Sequence, residues 1–70
     1  MENITITTDF IKLDSFLKLT GAVETGGAAK QAISDELVFV NGEACTMRGK
    51  KLHAGDKVCF EKTEYLLIKE

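Results

Sequence analysis

The sequence predicts an α+β fold, two packed helices against a small, mostly antiparallel sheet of four to five short strands. Three observations carry that reading. A period-two pattern opens the chain, with Ile4 and Ile6 alternating with Thr5 and Thr7. Two segments with helical apolar spacing follow: Phe10, Leu13, Phe16 and Leu17, then Ala28, Ala29, Ala32 and Ile33. Beyond them, short apolar runs are punctuated by Asn41-Gly42 and Gly55-Asp56, the turn chemistry of a small sheet.

Taken in order, residues 3–7 read as a half-buried strand. Thr8 and Asp9 are candidate helix caps, and residues 11–20 form a first amphipathic helix with both Phe10 and Phe16 in the core, neither expected to stack on a base. Gly21 stops it. Thr25 is a candidate N-cap for a second helix over 26–35. Gly26 and Gly27 in its first turn each cost about 1 kcal/mol relative to Ala. Close approach of another backbone, or of an anion to the open N–H groups, would offset that cost. Lys30, Gln31 and Ser34 fall on the outer side.

Leu37 to Val40 reads as a strand, Asn41-Gly42 as a two-residue type I′ turn, and Glu43 to Cys45 as the returning strand. Residues 46–51 form a loop, Leu52 is a buried anchor, and Gly55-Asp56 is a second tight turn. Val58 and Phe60 alternate with polar neighbours in the next strand, 62–64 turn, and 65–69 form the last strand. Pairing of the first and last strands would tie down both ends.

Seventy residues make one domain, 1–70, with a core so small that most apolar residues must serve it. No apolar run is long enough to span a membrane, and MENITITTDF lacks the basic and apolar regions of a signal peptide. The expectation is a soluble, cytoplasmic protein without membrane contact. Cys45 and Cys59 are then free thiols. Two Cys and one His without C-x-x-C spacing do not make a zinc site, so no metal and no cofactor are expected.

The net charge of −2 argues against nucleic acid, but the distribution does not. Residues 44–55 hold Arg48, Lys50, Lys51 and His53 and no carboxylate, while Glu2, Asp9, Asp35, Glu36, Glu43, Glu61, Glu64 and Glu70 lie elsewhere. A basic loop on an acidic remainder presents a directed positive face. From charge alone, four solvated side chains are the simpler reading.

The order of residues resembles a known family. It is similar to the RNA-binding module named after small-subunit ribosomal protein S-four, also carried by pseudouridine synthases and tyrosyl-tRNA synthetases. The matching residues are Leu13-Asp14 with Phe16-Leu17, Gly26-Gly27, Ala29-Lys30 with Ile33, Val38-Phe39-Val40-Asn41-Gly42, and Leu52-His53-Ala54-Gly55-Asp56. They cover residues 11–60, and their combination is specific where no single one is. The Thr-Gly-Gly-x-Ala-Lys and Arg-Gly-x-Lys-Leu variants look like a stand-alone bacterial subfamily connected with ribosome association. The resemblance implies the alpha-L arrangement and RNA contact through the second helix, the Asn-Gly turn and the basic loop. In this sequence those are Gly26, Gly27, Lys30, Gln31, Asn41, Arg48, Lys50, Lys51 and His53. One departure is Glu36, where the family usually has Gly; a positive φ there would add roughly 1 kcal/mol of strain.

The expected partner is structured RNA, ribosomal or tRNA-like, bound by a monomer in ribosome assembly or association. Arg48 offers a planar fork to phosphate or a guanine edge, and the lysines offer point charges. Lys12 and Lys18 read more simply as a solvated helix face, and Asn41 serves a turn role and a base contact equally well. About four phosphate contacts imply a roughly hundredfold loss of affinity between about 50 and 200 mM salt. No aromatic pair on an exposed strand announces a single-strand platform. The alternative is a protein-interaction adaptor using Leu37, Phe39 or Met47, although Met47 reads more simply as tucked under its loop. An enzyme is not expected. His53 is the lone His, and no nucleophile signature with Cys45 or Cys59 accompanies it.

Overall fold

The computed structural model describes residues 1–70. Seven strands and two helices follow in the order β1 (Glu2–Ile6), β2 (Ile11–Lys12), α1 (Leu13–Leu19), α2 (Gly26–Ser34), β3 (Val38–Val40), β4 (Glu43–Ala44), β5 (Lys51–Leu52), β6 (Lys57–Phe60) and β7 (Thr63–Lys69). Five strands form one sheet in the order β1-β7-β6-β3-β4. The first and last strands do pair, in parallel, with Ile4 opposite Leu67; the other pairings in the sheet are antiparallel. A separate antiparallel ribbon joins β2 to β5. This is the α+β architecture expected, with one strand pair the sequence did not announce.

Alternation in each strand of the main sheet sends one set of side chains towards the helices. Ile6, Val38, Val40, Val58, Phe60, Tyr65 and Leu67 are buried with Leu13, Phe16 and Leu17 of α1 and Ala29, Ala32 and Ile33 of α2. Phe16 meets Tyr65 edge-on at 5.7 Å between ring centroids. Small side chains at Ala29 and Ala32 let the two helices lie close, since neither carries bulk beyond its Cβ. Ala28, expected on the apolar face, is exposed.

Several boundaries differ from the sequence reading, each for a local reason. The first helix begins at Leu13 rather than residue 11, because Ile11 and Lys12 pair with β5. Phe10 therefore lies outside the helix and is 38% exposed, while Phe16 is fully buried as expected. Thr8 and Asp9 do not cap α1: the Thr8 hydroxyl donates to the Phe10 carbonyl, and Asp9 pairs with Lys69. Loop carbonyls take over instead, with the Leu13 N–H donating to Lys50 O at 2.9 Å and the Asp14 N–H to Arg48 O at 3.1 Å. Leu37 precedes β3 and is exposed, as is Met47 at 65%, so the loop does not cover its methionine. The last hairpin turns at Glu61-Lys62 rather than 62–64, both residues having positive φ.

Helix α2 ends in a Schellman motif. The Leu37 N–H donates to Ala32 O and the Glu36 N–H to Ile33 O, each at 3.1 Å. That geometry places Glu36 at φ +60°, the left-handed position where a Cβ is unfavourable. Glu36→Gly should therefore stabilise the protein by about 1 kcal/mol, raising a thermal midpoint by about 4–8 °C. A lower or unchanged midpoint in a circular-dichroism melt would count against strain at this helix end.

Candidate nucleic-acid interface

The β2–β5 ribbon is two residues long on each side, and its alternation sorts chemistry. Ile11 stands opposite Leu52, with Leu52 fully buried and Ile11 packed against the core. Lys12 stands opposite Lys51, and both are exposed. One residue further along each chain, Phe10 and His53 face each other with ring centroids 6.4 Å apart. The Lys51 Nζ lies 4.8 Å from the Phe10 ring centroid. The outer face of the ribbon is thus two lysines and two rings, and its inner face is core.

Arg48 and Lys50 precede β5 along the chain, and Lys50 lines a shallow surface cavity with Asn41, Glu43 and Met47. The Arg48 and Lys50 carbonyls hold the first N–H groups of α1, so the loop backbone is fixed while both side chains remain exposed. The Lys50 N–H donates to Met47 O at 3.1 Å, which closes the loop on itself.

The two Gly-containing turns behind the ribbon form one hydrogen-bonded lock. Asn41 sits at φ +51° and Gly42 at +87°, as a type I′ turn requires. Turning there carries the Asn41 carbonyl away from β6, and the side chain replaces it: the Lys57 N–H donates to Asn41 Oδ1 at 2.9 Å. The Asn41 Nδ2 donates to Asp56 Oδ1 at 3.1 Å, and the His53 N–H donates to Asp56 Oδ2 at 2.8 Å. Gly55, at φ +95°, lets its N–H reach Leu67 O at 2.8 Å. Motifs fifteen residues apart in sequence thus meet in one carboxylate. The carboxamide of Asn41 is committed to this lock, which tilts its two expected roles towards the structural one.

Helix α2 packs on α1, and no hydrogen bond or ion pair links it to the ribbon. Thr25 caps it, its Oγ1 accepting from the Ala28 N–H at 3.0 Å. A Cβ at Gly26 would meet nothing within 4 Å, and at Gly27 only the Thr25 hydroxyl at 3.9 Å. Close approach of another backbone therefore does not explain the glycine pair, and the space before the helix is open. Lys30 is exposed, and Gln31 donates from Nε2 to Asp35 Oδ1 at 2.9 Å. The expected cations thus divide: Lys51 and His53 share one face of the ribbon, Arg48 and Lys50 precede it along the chain, and Lys30 stands on a separate element.

The cations of this face form no ion pair, although His53 lies near enough to Asp9 to contribute, after Lys69, to lowering the pKa of its carboxyl. The single ion pair in the molecule joins Lys69 to Asp9 at 2.6 Å, so none of Lys12, Lys30, Arg48, Lys50 or Lys51 has a carboxylate within 4.0 Å. The hydrogen bond and charge of Lys69 hold the Asp9 carboxyl below the usual carboxylate range. Cys45 and Cys59 are free and half-buried. No three His, Cys, Asp or Glu side chains group as metal ligands would.

Lys12, read from the sequence as a solvated helix face, and Phe10, read as core, instead stand on the ribbon beside Lys51 and His53. Their signal was the alternation Phe10-Ile11-Lys12 against Lys51-Leu52-His53, which mirrors itself once the strands run antiparallel. Helical spacing from Leu13 onward obscured it.

The lock makes a clean prediction. Asn41→Gly keeps the positive φ and deletes the carboxamide, so it should cost about 1–2 kcal/mol, read by urea denaturation. Unchanged stability would show that the turn alone, without its side-chain bonds, holds the two motifs together.

Known proteins share this arrangement. The S4 domain family model matches residues 4–68. The probable ribosome maturation protein RlbA of Bacillus subtilis (strain 168) is 45% identical over 58 residues, which span 83% of this chain and 82% of that protein. The solution structure of YbcJ from E. coli, described as revealing an αL motif involved in RNA binding, superposes with a TM-score of 0.73. It is 30% identical and the match covers 97% of this chain and 87% of that one. With the helix pair, the Asn-Gly and Gly-Asp lock and the family match over nearly its whole length, the chain belongs to the S4 domain family.

Proposed function

We propose that this protein binds structured RNA, ribosomal or tRNA-like, through its cationic face, and acts in ribosome assembly or maturation. The observation that carries the reading is the Lys12–Lys51 pair. Two ammonium groups directly across a two-residue ribbon repel each other, and no acid relieves them. A phosphate between them turns that repulsion into binding energy and releases counterions. Arg48 and Lys50 lie along the same chain segment, where a planar guanidinium and a second ammonium reach neighbouring phosphates. His53 adds a hydrogen-bond donor at the ribbon's end.

Helix α2 supplies the second contact region in this proposal. Gly26 and Gly27 leave open space before the N–H groups of the helix start, and Lys30 and Gln31 are exposed one turn further on. Asn41 acts chiefly by holding the ribbon in place. RlbA, a probable ribosome maturation protein, and YbcJ, whose αL motif is involved in RNA binding, support the same class of partner. In this proposal the protein works as a monomer, without cofactor or catalysis, its site acting through charge and shape.

A second reading, a protein-binding adaptor, draws on the exposed Leu37, Phe39 and Met47. A partner captured through them would stay bound after ribonuclease treatment, whereas an RNA-bridged one would be released.

Charge reversal of Arg48, Lys50 and Lys51 together should abolish retention on immobilised ribosomal RNA while the thermal melt stays cooperative. Retention at the wild-type salt concentration would reject the cationic surface. Turnover is expected to be absent with ester, phosphodiester and thiol substrates; any hydrolysis lost in His53→Ala would overturn the non-enzymatic assignment.

A further inference from the structure

The ribbon's outer face carries two aromatic rings, and the charge contacts proposed above leave Phe10 without a role. Phe10 lies at the protein surface, outside the buried core. The turn that presents it is fixed at both sides. The Thr8 hydroxyl donates to the Phe10 carbonyl at 2.7 Å, and Asp9 is tied to Lys69 at the end of β7. The ring of His53 stands across the ribbon at 6.4 Å between centroids, inclined at 49°. Lys51 covers the Phe10 ring at 4.8 Å, and Lys12 is its cross-strand partner.

We propose that Phe10 and His53 form a stacking site for one unpaired base of the bound RNA, with Lys12 and Lys51 on the flanking phosphates. The inference rests on the RNA-binding reading and narrows the partner to structured RNA carrying an extruded nucleotide. A nucleotide needs a π surface for its base and a cation about one side chain away for its phosphate, and this face has both in alternation. A base inside a duplex has both faces already stacked, so only a bulged or looped-out base can use the ring. The two rings are tilted rather than aligned, which suits one base and not a run of them. Lys51 now occupies the ring face as a cation–π partner; its flexible stem lets the ammonium swing to phosphate when a base arrives.

The test uses two hairpin RNAs of one sequence, one with a single bulged 2-aminopurine and one with the bulge deleted, across a salt series. The wild-type protein should prefer the bulged hairpin by roughly fivefold to a hundredfold. Phe10→Ala should lose that preference while its affinity for the bulge-free hairpin and its salt slope stay at wild-type values. Phe10→Trp should keep the preference, with Trp emission quenched on binding the bulged hairpin only. The double variant Lys12→Glu, Lys51→Glu should lose affinity for both hairpins, its slope falling by about one per lysine. Equal wild-type binding of the two hairpins, or a preference that survives Phe10→Ala, overturns the stacking site and leaves the cationic surface standing. Wild-type binding to neither hairpin overturns both.

Discussion

One carboxylate organises the side of the molecule that matters. Asp56 accepts from the side chain of Asn41 with one oxygen and from the His53 N–H with the other. The first bond fixes the β3–β4 hairpin turn against the start of β6; the second fixes the end of β5 against the same point. β5 is only two residues long, and this double acceptance adds to its pairing with β2, the burial of Leu52 and the bonds of the preceding loop to α1. Gly55 belongs to the same device, because its N–H reaches the last strand from a backbone conformation that a Cβ opposes. The Asn-Gly and Gly-Asp signatures are therefore one structural unit read twice along the chain.

The ribbon so fixed explains how a protein of net charge −2 carries a positive face. Alternation leaves no choice: once Leu52 enters the core, Lys51 and His53 must point out, and once Ile11 follows Leu52, Lys12 and Phe10 join them. At physiological salt, charges separated by more than about 8 Å are screened, so the distant carboxylates do little to cancel this cluster. Local grouping decides, and the sum over the chain does not.

Much of this was legible in the sequence. The period-two opening, the apolar helix faces and the Asn-Gly turn each determine local structure by mechanisms that tertiary contacts reinforce. The family resemblance likewise placed Glu36 at a position favouring glycine, and it adopts φ +60° there. What was not legible depends on contacts between distant segments. Phe10 fits a helical apolar stripe by spacing, yet strand pairing between distant segments, Ile11 with Leu52, holds it at the ribbon and out of the core. The capping of α1 by Lys50 and Arg48 carbonyls leaves no trace in side-chain types, since any residue but a distorted one supplies a carbonyl. Glu61-Lys62 turns at positive φ without Gly or Asn, so register imposed by the flanking strands overrides turn preference.

That capping has a consequence for how fold and binding separate. The loop contributes to stability through its backbone, by receiving the N–H groups of Leu13 and Asp14, whereas its charged side chains touch no carboxylate. Removing or reversing those charges leaves both caps in place, and it even relieves repulsion across the ribbon. The same segment is therefore structural in its peptide groups, while its side chains are left free for the RNA contact proposed above. Selection on RNA affinity can then vary Arg48, Lys50 and Lys51 without cost to the helix they cap, while a change that moves the backbone, such as Pro at position 50 with loss of its N–H to Met47, disturbs both at once. The cationic face is tunable because the chain that carries it is held by atoms every residue shares.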